Sequence, residues 1–192
     1  MNRIVLLVLA FALAVLRAQQ PAGPPQYTSA GELLLPKDYR EWIFLSSGLG
    51  MTYGPAASTP EDPRFENVFV NPSSYRAFLD TGRWPDRTVF ILEIRRSAAK
   101  GSINNAGHYQ TEIASVEAAV KDERRFAQKW AYINFGRADK AQPLSATSVC
   151  NSCHGANAAV ENTFVQFYPT LLEVATHKGT LNPSYTSKPE AH

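Results

Sequence analysis

Cys150-Asn151-Ser152-Cys153-His154 contains both cysteines of the 192-residue chain, and no other run constrains its fold as tightly. The spacing C-x-x-C-H is that of c-type haem attachment. Two thiols one helical turn apart can each form a thioether to a haem vinyl group, and the imidazole that follows can swing under the iron as proximal ligand. The motif specifies attachment and one axial bond, and leaves the other face of the iron open to several uses. Two plainer readings stand beside it. A zinc site would need a fourth ligand from His108, His177 or His192, since no second C-x-x-C pair exists. A redox disulfide would be expected in a βαβ setting, which the surrounding pattern lacks. We therefore expect one covalently bound haem c, held through Cys150, Cys153 and His154, with His154 on the metal.

The N-terminus agrees with that expectation, because c-type haem is attached outside the cytoplasm. Asn2 and Arg3 precede an almost unbroken apolar run from Ile4 to Leu16, and Ala18 is a small residue before Gln19. This reads as a signal peptide cleaved near Ala18, giving a periplasmic or otherwise exported protein, with an uncleaved anchor as the alternative. Removing Arg3 and Arg17 leaves 17 basic residues against 17 acidic ones, a neutral balance that speaks against a nucleic-acid surface. The expected organisation is a signal peptide over residues 1–18, a Pro-, Gly- and Gln-rich flexible lead over 19–30, a haem domain over 31–178 and a flexible tail over 179–192.

Along the domain, helical and strand patterns alternate. A helix is expected from Pro36, with Tyr39, Trp42 and Ile43 sharing a face until Gly48 breaks it. The stretch from Ala56 to Pro63 reads as a loop. Phe65 to Val70 reads as a strand ended by Asn71-Pro72, which opens a helix that Gly82 closes. Thr88 to Ile94 is apolar on both faces and reads as a central strand. Gly101 to Gly107 is turn chemistry between strands. Ile113 to Asp122 is ambiguous, with helix-like composition and strand-like alternation, while Trp130 to Phe135 reads as a strand ended by Gly136. The haem motif should open a short helix, and Phe164 to Leu172 another that restarts at Pro169. Short links between strands favour antiparallel pairing and argue against a four-helix bundle, so the expected class is α+β, an antiparallel sheet with several flanking helices and a haem site near the C-terminus.

Several of these segments together resemble the cytochrome P-460 family, which includes the cytochromes c-prime-beta. They are Leu35-Pro36-Lys37-Asp38-Tyr39-Arg40-Glu41-Trp42, Val68-Phe69-Val70-Asn71-Pro72 with Tyr75, Thr88-Val89, Val120-Lys121-Asp122 with Arg125-Phe126, and Cys150 to His154 with Phe167-Tyr168-Pro169. The resemblance implies a haem held at the edge of an antiparallel sheet, a strand over Ile113 to Val120, a homodimer, and five-coordinate iron. It also implies oxidation of hydroxylamine, as in the enzymes of the group, or binding of gases such as nitric oxide, as in the c-prime-beta members.

Two positions bear on that choice. The enzymes of the group link a lysine to the haem ring, and the matching position here is Leu92, which cannot form the link. Lys100 is too far along to replace it. The distal acidic residue of those enzymes matches Glu117, whose carboxylate could exchange a proton with a bound nitrogen ligand, although on sequence alone it equally reads as a solvated glutamate. Met51, His108 and His177 are conceivable sixth ligands for a six-coordinate electron-transfer cytochrome. Trp42, Phe44, Phe69, Phe90, Trp130, Tyr132 and Phe135 could line the haem or simply fill the core, and Arg95 and Arg96 could meet its propionates or end a solvated strand. A soluble electron acceptor is the expected partner.

Overall fold

The computed structural model describes residues 23–53 and 62–187. The expected signal peptide, the first part of the lead, most of the Ala56–Pro63 loop and the last residues of the tail lie outside the described residues. Five strands form one antiparallel sheet in simple up-and-down order, β2 (Ile43–Leu49), β3 (Phe65–Val70), β4 (Val89–Ala98), β5 (Tyr109–Lys121) and β6 (Trp130–Gly136). A two-residue ribbon pairs β1 (Leu33–Leu34) with β7 (Lys140–Ala141). Among the described residues the helices are, in chain order, α1 (Pro72–Thr81), α2 (Val149–Asn157), α3 (Pro169–Lys178) and the single-turn α4 (Pro183–Thr186). The α+β expectation is met. Among the described residues no helix is long and apolar enough to cross a membrane.

The segment after Pro36 departs from expectation. Only Tyr39–Glu41 winds, as one turn of 3-10 helix, and Ile43-Phe44-Leu45 continues as the edge strand β2 against β3. The β-branched and aromatic residues there gain more by pairing with Val70 and Phe69 than the short helical pattern could provide alone. For Ile113 to Asp122 the strand wins over helix composition. Residues 109–120 pair with β4, and from Val116 onward the strand also pairs with β6, which outweighs intrinsic propensity. The expected turn at Gly101 to Gly107 joins β4 to β5, with Gly101 bridged to Asn104. Gly82 closes α1 in the left-handed conformation at φ 69°. Asn71 stands at the N-cap of that helix, but its side chain serves the sheet instead, accepting from Val89 N at 2.9 Å.

Alternation sorts the sheet's side chains onto two faces. One face buries Val89, Ile91, Val116, Ala118, Val120, Ala131, Ile133 and Phe135 beneath Leu33, Tyr39 and Trp42. Its one buried acid, Glu93, accepts hydrogen bonds from the Tyr39 hydroxyl, Arg40 Nε (2.8 Å) and Arg95 Nε (2.5 Å). The other face carries the helices, with Val70, Phe90 and Trp130 packed against Phe78, Val165, Tyr168, Leu171 and Ala175. The lead and tail both engage the fold within their described parts. Tyr27 bridges Leu33, and Asn182 donates through Nδ2 to the carbonyls of Ala158 and Glu161.

Candidate haem site

The helical face is only half covered. Val70, Phe90, Trp130 and Tyr132 are buried, whereas the rows beyond them, Val68, Leu92, Glu117 and then Glu66, Ile94, Ser115, remain half-buried. The C-x-x-C-H run meets the sheet at this boundary. It forms α2, where Cys150 and Cys153 are unpaired, partly accessible thiols one turn apart. They do not form the disulfide of the plainer reading. Among the described residues no group of three or more His, Cys, Asp or Glu side chains is disposed to hold an ion, and His192 lies outside them.

His154 is held on three sides. Its ring lies 4.3 Å from the Tyr132 ring and 4.2 Å from the Phe164 ring, centroid to centroid. Its Nδ1 stands 2.8 Å from the carbonyl oxygen of Asn162. A carbonyl can only accept, so Nδ1 carries the hydrogen and Nε2 keeps the free lone pair that a metal needs. Burial pushes the imidazole's pKa down, partly offset by the Asn162 carbonyl, which favours the neutral ligand form. Phe167, whose ring is 6.1 Å from that of Phe164, is 42% exposed, and Val149 at the start of α2 is 77% exposed, so apolar surface is left open beside the motif. Two thiols on one turn, an imidazole with a fixed tautomer and an uncovered apolar platform are the donor set and surface that haem c requires. Cys150 and Cys153 would hold the vinyl groups and His154 the iron.

Leu92 and Glu117 are brought together. They are direct cross-strand partners of β4 and β5 on the half-covered face, in one row with Val68 and Asn134. Burial raises the Glu117 carboxyl, and Asn134 Nδ2 donates to its Oε1 at 3.5 Å. Two residues that the sequence did not single out join it. Glu66, in the next row, is raised by burial and by the nearby Glu117 charge. The Tyr53 hydroxyl donates to Glu66 Oε2 at 3.5 Å, and burial, aided by Glu66, pushes that hydroxyl up to about 12. No local motif marks Glu66 or Tyr53; the register of β3 against β4 brings Glu66 to the site, and a contact from the loop after β2 brings Tyr53.

The remaining candidates fall elsewhere. Met51 packs over Gly48, where an added Cβ would stand 2.3 Å from its sulfur, so the thioether fills the space of a missing side chain. His108 is exposed before β5, and His177 is exposed on α3, 3.8 Å from Glu173. Lys100 sits beyond the end of β4, its carbonyl accepting from the Tyr109 hydroxyl. Arg95 is committed to Glu93 on the opposite face, and Arg96 pairs with Glu112 at 3.4 Å on the surface. Of the aromatic candidates, Trp42, Phe69 and Phe135 belong to the opposite core with Phe44 packed edge-on to Phe69, whereas Phe90, Trp130 and Tyr132 lie on the helical face.

A comparison with curated proteins returned no match. The family model for cytochrome P-460 matches residues 36–165, which takes in the whole five-stranded sheet and the C-x-x-C-H helix. The chain belongs to the cytochrome P-460 family of c-type haem cytochromes.

Proposed function

We propose that this protein is an exported mono-haem c-type cytochrome whose five-coordinate iron, ligated by His154, binds or oxidises a small nitrogen ligand, hydroxylamine or nitric oxide. The observation that supports this reading is the Leu92–Glu117 pair, an apolar and an acidic side chain side by side on the half-covered face that α2 borders. Bound haem supplies the metal that takes the ligand and accepts electrons from it. The chain's part is proton handling and solvent exclusion. Glu117, raised by burial, can take a proton at Oε from a protonated nitrogen ligand and pass it outward. Glu66, in the next row, is itself raised by burial and, to a lesser extent, by the Glu117 charge, so its ionisation is disfavoured while Glu117 is charged. Asn134 and Tyr53 orient those carboxyls from either side. Leu92 keeps water from the row and, lacking an amine, leaves the ring without a lysine link. That last feature favours ligand capture over fast turnover. Electrons leave to a soluble acceptor.

The test is hydroxylamine turnover with an artificial acceptor, alongside nitric oxide binding to the ferrous protein, for wild type and Glu117→Ala. Turnover that falls tenfold or more in the variant supports the enzyme; nitric oxide binding without turnover supports capture. Neither activity in haem-loaded wild type would overturn the proposal.

A further inference from the structure

We propose that Tyr132 is a positioning residue for the proximal ligand, sharing the Asn162 carbonyl with His154 and thereby limiting how strongly that carbonyl can polarise the imidazole. The Tyr132 hydroxyl donates to the Asn162 oxygen at 3.1 Å, and His154 Nδ1 donates to the same oxygen at 2.8 Å. A carbonyl oxygen has two lone pairs, so both bonds form, but each donor draws on electron density the other also uses. With the Tyr132 ring only 4.3 Å from the imidazole and the side chain 5% exposed, water cannot substitute for the hydroxyl.

The carbonyl cannot swing aside to favour one donor. It lies in the turn between Val160 and Thr163, which bond each other at both ends (3.4 and 2.9 Å). Glu161, preceding it, adopts φ 50°, a left-handed conformation costly for a glutamate. Its surroundings hold it there. Its carboxylate accepts from Lys121 Nζ (2.9 Å), Trp130 Nε1 (3.3 Å) and Trp84 N (3.3 Å), and its own N–H donates to Asn182 Oδ1 (3.1 Å). A strained residue clamped at both backbone and side chain makes the next carbonyl a fixed acceptor. Hydrogen bonding at Nδ1 sets the basicity of a metal-bound imidazole, so the tyrosine hydroxyl weakens the donor strength of His154 toward iron.

The inference rests on His154 being the iron's ligand, and the experiment separates the two. In haem-loaded Tyr132→Phe the carbonyl serves His154 alone. The iron–imidazole stretch of the ferrous protein in resonance Raman should rise, and the ferric-to-ferrous ratio at a fixed applied potential should increase about fivefold, the equivalent of about 1 kcal/mol for one redirected hydrogen bond. Site-specific 3-fluorotyrosine at position 132, isosteric and a stronger donor, should move both readouts the other way, and it keeps the test intact if the phenylalanine variant does not fold. Unchanged stretch and ratio in the folded variants, or shifts of opposite sign, overturn the inference. Loss of the iron–imidazole band in His154→Ala shows that the ligation itself holds in that event; its persistence would show that the ligation reading is the one that failed.

Discussion

Glu161→Gln should destabilise this protein by about 2 kcal/mol, because it removes one half of the buried ion pair that ties the sheet to the turn after α2. Lys121 is 7% exposed, and its Nζ donates to the Trp84 carbonyl at 2.6 Å and to Glu161 Oε2 at 2.9 Å. Leaving such a charge without its partner costs about 3–5 kcal/mol when burial is complete. Here the Glu161 side chain keeps 18% exposure and Glu123 stands 3.7 Å from the same ammonium, so some compensation survives. Glutamine also keeps an acceptor oxygen in place, which reduces the cost to the lower figure. For a domain of this size, roughly 2–4 °C per kcal/mol, Tm should fall by about 4–8 °C. Urea unfolding of the haem-loaded variant should show a lower midpoint at unchanged slope, and a double-mutant cycle with Lys121→Met should give a coupling above about 1 kcal/mol. A loss under about 0.5 kcal/mol, or additive single changes, would mean that the pair behaves as a solvated surface bridge and that the reasoning about burial is wrong.

The two classes of buried carboxylate should respond to pH with opposite signs. For Glu93, burial alone would raise the carboxyl, but Arg95, Tyr39 and Arg40 together hold it below its usual value, so its contribution is present above about pH 4.3 and is lost as pH falls through the folded value. Urea midpoints of wild type and Glu93→Gln should therefore differ at pH 7 and draw together only as pH falls below about 4.3 through the folded value. Glu117 is raised, so its ionisation opposes folding as pH climbs from about 4.3 through the folded value. Glu117→Gln should be no less stable than wild type at pH 7 in the same assay while its hydroxylamine turnover is lost. Gly82→Ala should lower Tm more than Gly107→Ala does, since both have positive φ (69° and 81°) but only at Gly82 would a Cβ meet Thr180 Oγ1 at 2.7 Å, whereas Gly107 has nothing within 4 Å.

Much of the sheet was legible from alternation and punctuation. Asn71-Pro72, Gly82 and Gly136 mark the ends of elements where the sequence places them, because each acts through its own backbone. The segment after Pro36 was not legible, since three apolar residues fit one helical face as well as a strand and only the partner strand β3 decides. At the site, Cys150, Cys153 and His154 announce themselves by spacing, and Leu92 and Glu117 emerge through the family resemblance. Glu66, Tyr53, Tyr132 and Asn162 could not be assigned their places by any local pattern. They meet the site through strand register, through a loop contact and through a turn whose carbonyl, with no side-chain signal at all, fixes the tautomer of His154.

The proposed chemistry requires an iron carried by His154 with its opposite face free. Optical and magnetic spectra of the purified ferrous protein, recorded before and after adding nitric oxide, read that coordination directly. A high-spin, five-coordinate spectrum that converts promptly to a nitrosyl form is the predicted result. A low-spin, six-coordinate spectrum that nitric oxide leaves unchanged would contradict it, as would colourless protein from a host able to mature c-type cytochromes.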